Sequence, residues 1–260
     1  TNFQKMRDEG FSKALSETKK SWQKWLAPAL RFSKKLDLKY QKKFIQSLML
    51  VKSHLAKTGA PIASNDSEML NYARDDYSYC WPRDALFAIW PLIRLGYRDE
   101  PQRFFTFCKN SLTPGGFMMH KYLPNGELGP SWHPYSQGGE TRNLPIQIDE
   151  TAGILFLFAQ YYKKFRDNSI LDEFYDDLVK PIADFLVDFC GENNLPKPNY
   201  ELWEMNFLST TYSTSVVFAA LYSASNLAQQ LNRARDAKKW RDQALKIRTS
   251  AQNELFNPEN

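Results

Sequence analysis

Cysteine is scarce in this chain. Cys80, Cys108 and Cys190 are widely spaced among 260 residues, and none belongs to a CxxC pair. That excludes a disulfide-stapled scaffold and a CxxC-type metal or redox motif. It predicts free thiols in a reducing, cytoplasmic setting, with one pairing among the three left open. No signal peptide and no long apolar run is present, which argues against a membrane span. A glycine-rich phosphate loop, a GxSxG elbow and an HExxH helix are all missing. The net charge is +5, yet no basic motif carries interleaved aromatics, so nucleic acid is not an expected partner. The positive excess crowds the first 57 residues, where it reads as a solvated helix face.

Aromatic residues are what the chain has in quantity. They make up 15% of it, with 7 Trp, 13 Tyr and 18 Phe, enough to fill a core and still line a pocket. The length fits one large domain or two small ones.

The apolar spacing predicts helices throughout. A charged connector helix is expected from residue 3 to about 26, interrupted by Pro28. Further helices are expected at about 39–57, 84–95 (with Pro91 as a kink), 99–112, 149–165, 169–190, 211–231 and 234–255. Long loops are predicted at 59–80, 113–147 and 191–210, with short strands near Ile62-Ala63 and a hairpin turn at Asn125-Gly126. Short turns and long loops alternate, so helical hairpins repeat at about 50–60 residues per unit. In a ring of such hairpins the long loops gather on one face, and that face carries the site. The chain begins at Thr1 without Met and stops at a turn, so both ends read as cut.

The stretch Tyr77-Ser78-Tyr79-Cys80-Trp81-Pro82-Arg83-Asp84 packs aromatics, a cation and an acid into one helix start. Taken as an isolated pair, Arg83 and Asp84 are a solvated arginine and a helix-dipole acid. Beside Tyr77, Tyr79 and Trp81 they also suit a sugar, with ring faces for the pyranose and charged groups for its hydroxyls. Further acids lie in or beside the long loops: Asp75-Asp76, Asp149-Glu150, and Glu201 with Glu204. Glycoside hydrolysis needs two carboxyl groups across the scissile bond. A carboxyl against an indole, as in Glu201-Leu202-Trp203-Glu204, is a setting that keeps an acid protonated near neutrality. On spacing alone, a surface acid beside a partly buried Trp explains that segment better, and a helix cap explains Asp149-Glu150-Thr151. His120 and His133 lie 13 apart with no third ligand at fitting spacing, so hydrogen bonds to a sugar hydroxyl or to backbone fit better than zinc. No metal or other cofactor is expected.

Four motifs now come together: Tyr79-Cys80-Trp81-Pro82-Arg83-Asp84; Ser131-Trp132-His133-Pro134; Leu144-Pro145-Ile146-Gln147-Ile148-Asp149-Glu150-Thr151; and Leu202-Trp203-Glu204. In this order and approximate spacing the chain resembles glycoside hydrolase family 15, in the style of its bacterial and archaeal glucoamylases, trehalases and glucodextranases. The resemblance spans roughly residues 40–256. It implies an all-α fold, an (α/α)6 toroid of helical hairpins, of which this chain supplies about the first half. It implies residues 1–30 as a linker helix region and 31–260 as the N-terminal half of the catalytic domain. The later half of the barrel and an N-terminal β-sandwich would then be absent.

For function the resemblance implies an inverting exo-hydrolase that releases glucose from the non-reducing ends of α-linked oligosaccharides or polysaccharides. Glu204 matches the general acid. Arg83 and Asp84 match the residues that grip the innermost glucose. Trp81, Trp132, His133, Gln147, Asp149, Glu150 and Trp203 fall on or beside motif positions around the same pocket. The general base would lie beyond Asn260, so these residues alone are expected to lack turnover. A trehalase of the same family, or a carbohydrate-binding or regulatory protein on the same barrel, are the alternatives. One departure stands out: Met205 replaces an acid that many members carry after the general acid. That leaves the leaving-sugar contacts, and the choice among maltooligosaccharide, isomaltooligosaccharide and trehalose, open.

Overall fold

The computed structural model describes residues 10–65, 77–130 and 145–256, together with 4, 7, 136–137 and 140–141. It divides into two compact units, Thr1–Ser53 with Leu95–Tyr97, and His54–Arg94 with Arg98–Asn260.

The first unit holds α1 (Phe11–Ser33) and α2 (Leu38–Ser53). Contrary to the interruption expected at Pro28, α1 runs through it. A proline removes one helical hydrogen bond, and here the freed carbonyl belongs to Lys24 on an exposed face, where water can satisfy it. Few residues of α1 are buried, among them Leu26 and Ala29. The Tyr97 hydroxyl donates to Trp25 O at 2.9 Å, and the two rings lie 4.8 Å apart.

The second unit is a series of helical hairpins: α3 (Pro82–Leu95) and α4 (Asp99–Ser111); α5 (Ile148–Phe165) followed by α6 (Asn168–Phe174) and α7 (Lys180–Asp188); α8 (Thr211–Gln230) and α9 (Ala234–Glu254). α5 is its core rod. Ile148, Ile154, Leu155, Leu157 and Phe158 are all fully buried, as is Gly153. A helix apolar on all sides must be covered on all sides; each such side chain contributes about 1.5–3 kcal/mol of burial. A Cβ on Gly153 would lie 2.7 Å from Leu86 Cδ1, so the missing side chain is what lets α3 approach α5 this closely.

The helix expected over 169–190 is divided. Residues Tyr175–Val179 form one wide π-turn between α6 and α7, and Lys180 N–H reaches back five residues to Tyr175 O. Pro181 follows at once; it has no N–H to continue the regular ladder. α7 is tied to α9 through Asp184, which accepts from Lys239 Nζ at 2.9 Å and from the buried Trp240 Nε1 at 3.0 Å.

The loops contain more order than their composition announces. Ala63 N–H donates to Tyr79 O at 3.0 Å, and Cys80 and Tyr122 exchange both backbone hydrogen bonds. The Asn125-Gly126 turn forms as expected: Tyr122 pairs with Leu128, and Gly126 takes φ 95°. Among the described residues two short strand pairs occur, β1 (Ser136–Gln137) with β2 (Glu140–Thr141), and β3 (Asn199–Tyr200) with β4 (Phe207–Leu208). The second replaces the plain loop expected over 191–210. α8 then starts on a capping box between Thr210 and Ser213, a device worth about 1 kcal/mol.

Gly116 seats the segment that leads to His120. Its φ is 79°, and a Cβ there would fall 2.4 Å from the backbone oxygen of Pro181. Gly116→Ala should therefore cost roughly 1–3 kcal/mol in chemical denaturation, because it meets both left-handed strain and an immovable neighbour. Stability within a few tenths of a kcal/mol of the parent would contradict this packing.

Candidate active site

Three chain segments converge at the start of α3. Pro82 occupies the first helical position, where its missing N–H costs nothing. Arg83 follows, its side chain 11% exposed, and Nη1 donates to Gln147 Oε1 at 2.7 Å and to Asp149 Oδ2 at 3.1 Å. Gln147 Nε2 in turn donates to the backbone oxygen of Glu201 at 2.9 Å. One buried amide thus joins α3, the start of α5 and the loop between β3 and β4. Ile148 N–H donates to Asn199 Oδ1 at 3.2 Å and braces the same junction.

The β3–β4 loop is held by Glu201. Its carboxylate accepts from the N–H groups of Trp203 (2.8 Å), Met205 (2.9 Å) and Asn206 (3.3 Å). Hydrogen bonding to the charged form lowers its pKa, the Trp203 N–H contributing most. Glu201 is therefore a bracket for the loop, ionised and occupied.

Glu204 is a different kind of acid. It sits at φ 62°, a left-handed conformation rarely adopted outside glycine, closed by its N–H to Glu201 O at 2.9 Å. Its side chain is a quarter exposed, and Oε1 lies 3.5 Å from His120 Nε2. Burial raises its pKa, with Asp84 adding to the rise and Arg83 and Lys121 opposing it. The indole of Trp203, which the sequence suggests as the source of that burial, does not supply it. Trp203 is 77% exposed at the loop tip, and the covering comes from the inner side, where His120 lies.

His120 is almost fully buried, and its Nε2 accepts from Trp81 Nε1 at 3.2 Å. Trp81 is itself buried, stacked on Tyr77 at 5.7 Å and edge-on to Tyr79 at 5.9 Å. The ammonium of Lys121, a residue with no exposed surface, lies over the Tyr79 ring at 4.4 Å and the Trp81 ring at 5.2 Å. Behind Arg83 lies Glu150, fully buried, with Oε1 3.7 Å from Arg83 Nη1 and 3.9 Å from His120 Nδ1. Neither of its oxygens has a hydrogen-bond donor among the described residues. Burial drives its pKa well above that of an ordinary glutamate. Asp149 is raised too, by burial against the pull of Arg83.

Of the residues singled out in the sequence, Arg83, Gln147, Asp149, Glu150, Trp81 and Glu204 come together here. Asp84 is exposed one residue beyond Arg83, and its charge acts on Asp149, Glu150 and Glu204. Trp132, His133 and the pair Asp75-Asp76 lie outside the described residues. Lys121 and Tyr212 carried no sequence signal of their own. Tyr212 sits in the first turn of α8, where the Asp149 carboxylate adds to the burial that raises its pKa. It shares a position type with Asp84 and Asp149, a helix start directly after a long loop, and that placement could have flagged it. Among the described residues no group of three or more His, Cys, Asp or Glu has the arrangement to hold a metal ion. No described helix is long and apolar enough to cross a membrane.

The family model for glycosyl hydrolases family 15 matches residues 39–260, and the chain belongs to that family. It is 23% identical to Trehalase 2 of Sulfolobus acidocaldarius over 92% of this chain and 42% of that protein. It is 25% identical to a glucoamylase of Clostridium sp. over 86% of this chain and 28% of that one. The chain thus spans less than half the length of these curated relatives. A crystal structure of a bacterial glucoamylase complexed with acarbose superposes with a TM-score of 0.64 at 24% identity, covering 86% of this chain and 31% of that one. This likeness bears out the all-α, (α/α)6 helical-hairpin fold class.

The buried Glu150 carboxyl makes stability depend on pH. Its folded pKa lies above its unfolded one, so between the two the folded state binds the extra proton. Stability then falls as pH rises from about 4.3, the ordinary glutamate value, toward the folded pKa. Glu150→Gln should flatten that decline in a pH series of thermal melts. An unchanged slope would mean that Glu150 is ionised in the fold.

Proposed function

We propose that this chain is part of an inverting, exo-acting α-glucoside hydrolase of the glucoamylase type. Its substrate is an α-linked glucose oligosaccharide or polysaccharide, cut at the non-reducing end. Glu204 is the general acid, and the observation that carries this reading is its environment. It is a partly exposed carboxyl on a bracketed loop, its pKa raised by burial, and turned toward the cluster around Arg83. Arg83 and Asp84 grip the terminal glucose, with Trp81, Trp132, His133 and Trp203 as its aromatic and polar surroundings. Gln147, Asp149 and Glu150, being buried, hold the gripping arginine from behind. The general base lies beyond Asn260, within the remaining half of the barrel. Residues 1–30 serve as the linker to a preceding domain, and 31–260 form the first half of the catalytic domain. No cofactor takes part.

A trehalase of the same family is the second reading. The Sulfolobus acidocaldarius trehalase relative matches 92% of this chain, and Met205 leaves the leaving-sugar side without the acid common in the family. Both readings share Glu204 and differ only in the leaving group.

In the full-length protein, Glu204→Gln should lower kcat on the substrate chosen among maltotriose, isomaltotriose and trehalose by about 10²–10⁴, with little change in KM. The loss should shrink on glucosyl fluoride, whose leaving group needs no proton. Inversion predicts β-glucose as the first product seen by NMR. Near-normal kcat in the Gln variant, or α-glucose as first product, would refute the mechanism.

A further inference from the structure

His120 stands between the two carboxyl groups whose protons matter most, and the mechanism above does not use it. Its Nε2 faces two partners at once: Trp81 Nε1 at 3.2 Å and Glu204 Oε1 at 3.5 Å. An indole nitrogen can only donate, so Nε2 must be the bare, accepting nitrogen of a neutral imidazole. The ring proton then sits on Nδ1, which faces Glu150 Oε1 at 3.9 Å. An ionised Glu204 would set its lone pairs against the bare lone pair of Nε2. A protonated Glu204 can instead direct its O–H there. The ring cannot swing away: His120 is 1% exposed, and the backbone N–H of Met118, two residues back, donates to Thr151 Oγ1 at 2.9 Å.

We propose that His120 is a positioning residue for Glu204, its Nε2 locked bare by the Trp81 indole so that the carboxyl on the β3–β4 loop is held in place in its acid form. The proposal rests on Glu204 being the general acid. Trp81 thereby acquires a second role, because its N–H sets the tautomer that keeps the acid loaded. Among the described residues, Glu204 from the β3–β4 loop and Glu150 from α5 face the imidazole; Arg83 lies against Glu150, Asp84 acts on both carboxyl groups, and Lys121 is the next residue in the chain. Of these, only Glu204 combines partial exposure with contact to Nε2.

The test compares His120→Leu and His120→Gln in the full-length protein. Leucine keeps the site dry but offers no acceptor. The expected result is a kcat loss of about 10–10² on the hydrolysed glucoside, an alkaline limb of the pH–rate profile moved to lower pH, and a smaller loss on glucosyl fluoride. Glutamine can present a carbonyl oxygen near the Nε2 position, so it should retain the limb and stay within about tenfold of the parent. An alkaline limb that stays put or moves to higher pH in His120→Leu, with Glu204→Gln still inactive, overturns this proposal and leaves the general-acid assignment standing. Near-normal activity in Glu204→Gln overturns both. Should His120→Leu fail to fold, imidazole 15N NMR of the parent decides. Protonated Nδ1 with bare Nε2 across the working pH range supports the proposal, and an imidazolium there overturns it.

Discussion

A buried arginine is the constraint on which the site depends. Arg83 sits at the head of α3 with little of its side chain in water, and a charge so placed needs partners. Asp149 supplies the countercharge and Gln147 the neutral acceptor. Both stand at the start of α5, so α3 and α5 must meet head to head. Gly153 permits the approach one turn further along. Gln147 spends its other end on Glu201 O, which draws the β3–β4 loop to the same point. Removing one member of such a pair leaves a buried charge uncompensated, typically about 3–5 kcal/mol. Glu204 is delivered to the cluster by this chain of contacts.

The carboxyl groups there outnumber the guanidinium that serves them. Asp149 makes the direct bonds to Arg83, and Glu150 lies beyond hydrogen-bond reach at 3.7 Å. Burial without a donor pushes Glu150 toward its neutral form, and the same pressure, weaker because the group is a quarter exposed, acts on Glu204. Carboxyl groups of one residue type thus have their pKa values pushed in opposite directions by their surroundings alone. Glu201 and Glu204 make the point within four residues: three backbone N–H groups lower the pKa of the first, while burial beside His120 raises that of the second.

Much of this was legible in the sequence because it is local. Pro82 followed by an apolar 3.6-residue pattern marks the head of α3, and Asp149-Glu150 before a run of apolar residues marks α5. The contacts that give the site its chemistry are not local. Arg83 and Gln147 are 64 residues apart, Trp81 and His120 39, and no spacing rule links them. Periodicity was blind to the π-turn at Tyr175–Val179, since apolar spacing changes little when one hydrogen bond lengthens. It also passed over the β3–β4 hairpin, whose strands are two residues each and held by the bracket of Glu201 more than by their composition. Trp203 misled in the opposite sense. An indole beside an acid suggests shelter, but at the tip of a hairpin it points to water.

The protonation state of Glu204 is the claim from which the rest follows, and it can be observed without turnover. The measurement is a carboxyl titration of the full-length protein by 13C-glutamate NMR, with the Glu204 signal assigned by its loss in Glu204→Gln. The expected result is a carboxyl that keeps its proton to higher pH than an ordinary glutamate. A Glu204 that titrates at or below the ordinary value would contradict the role given to it here.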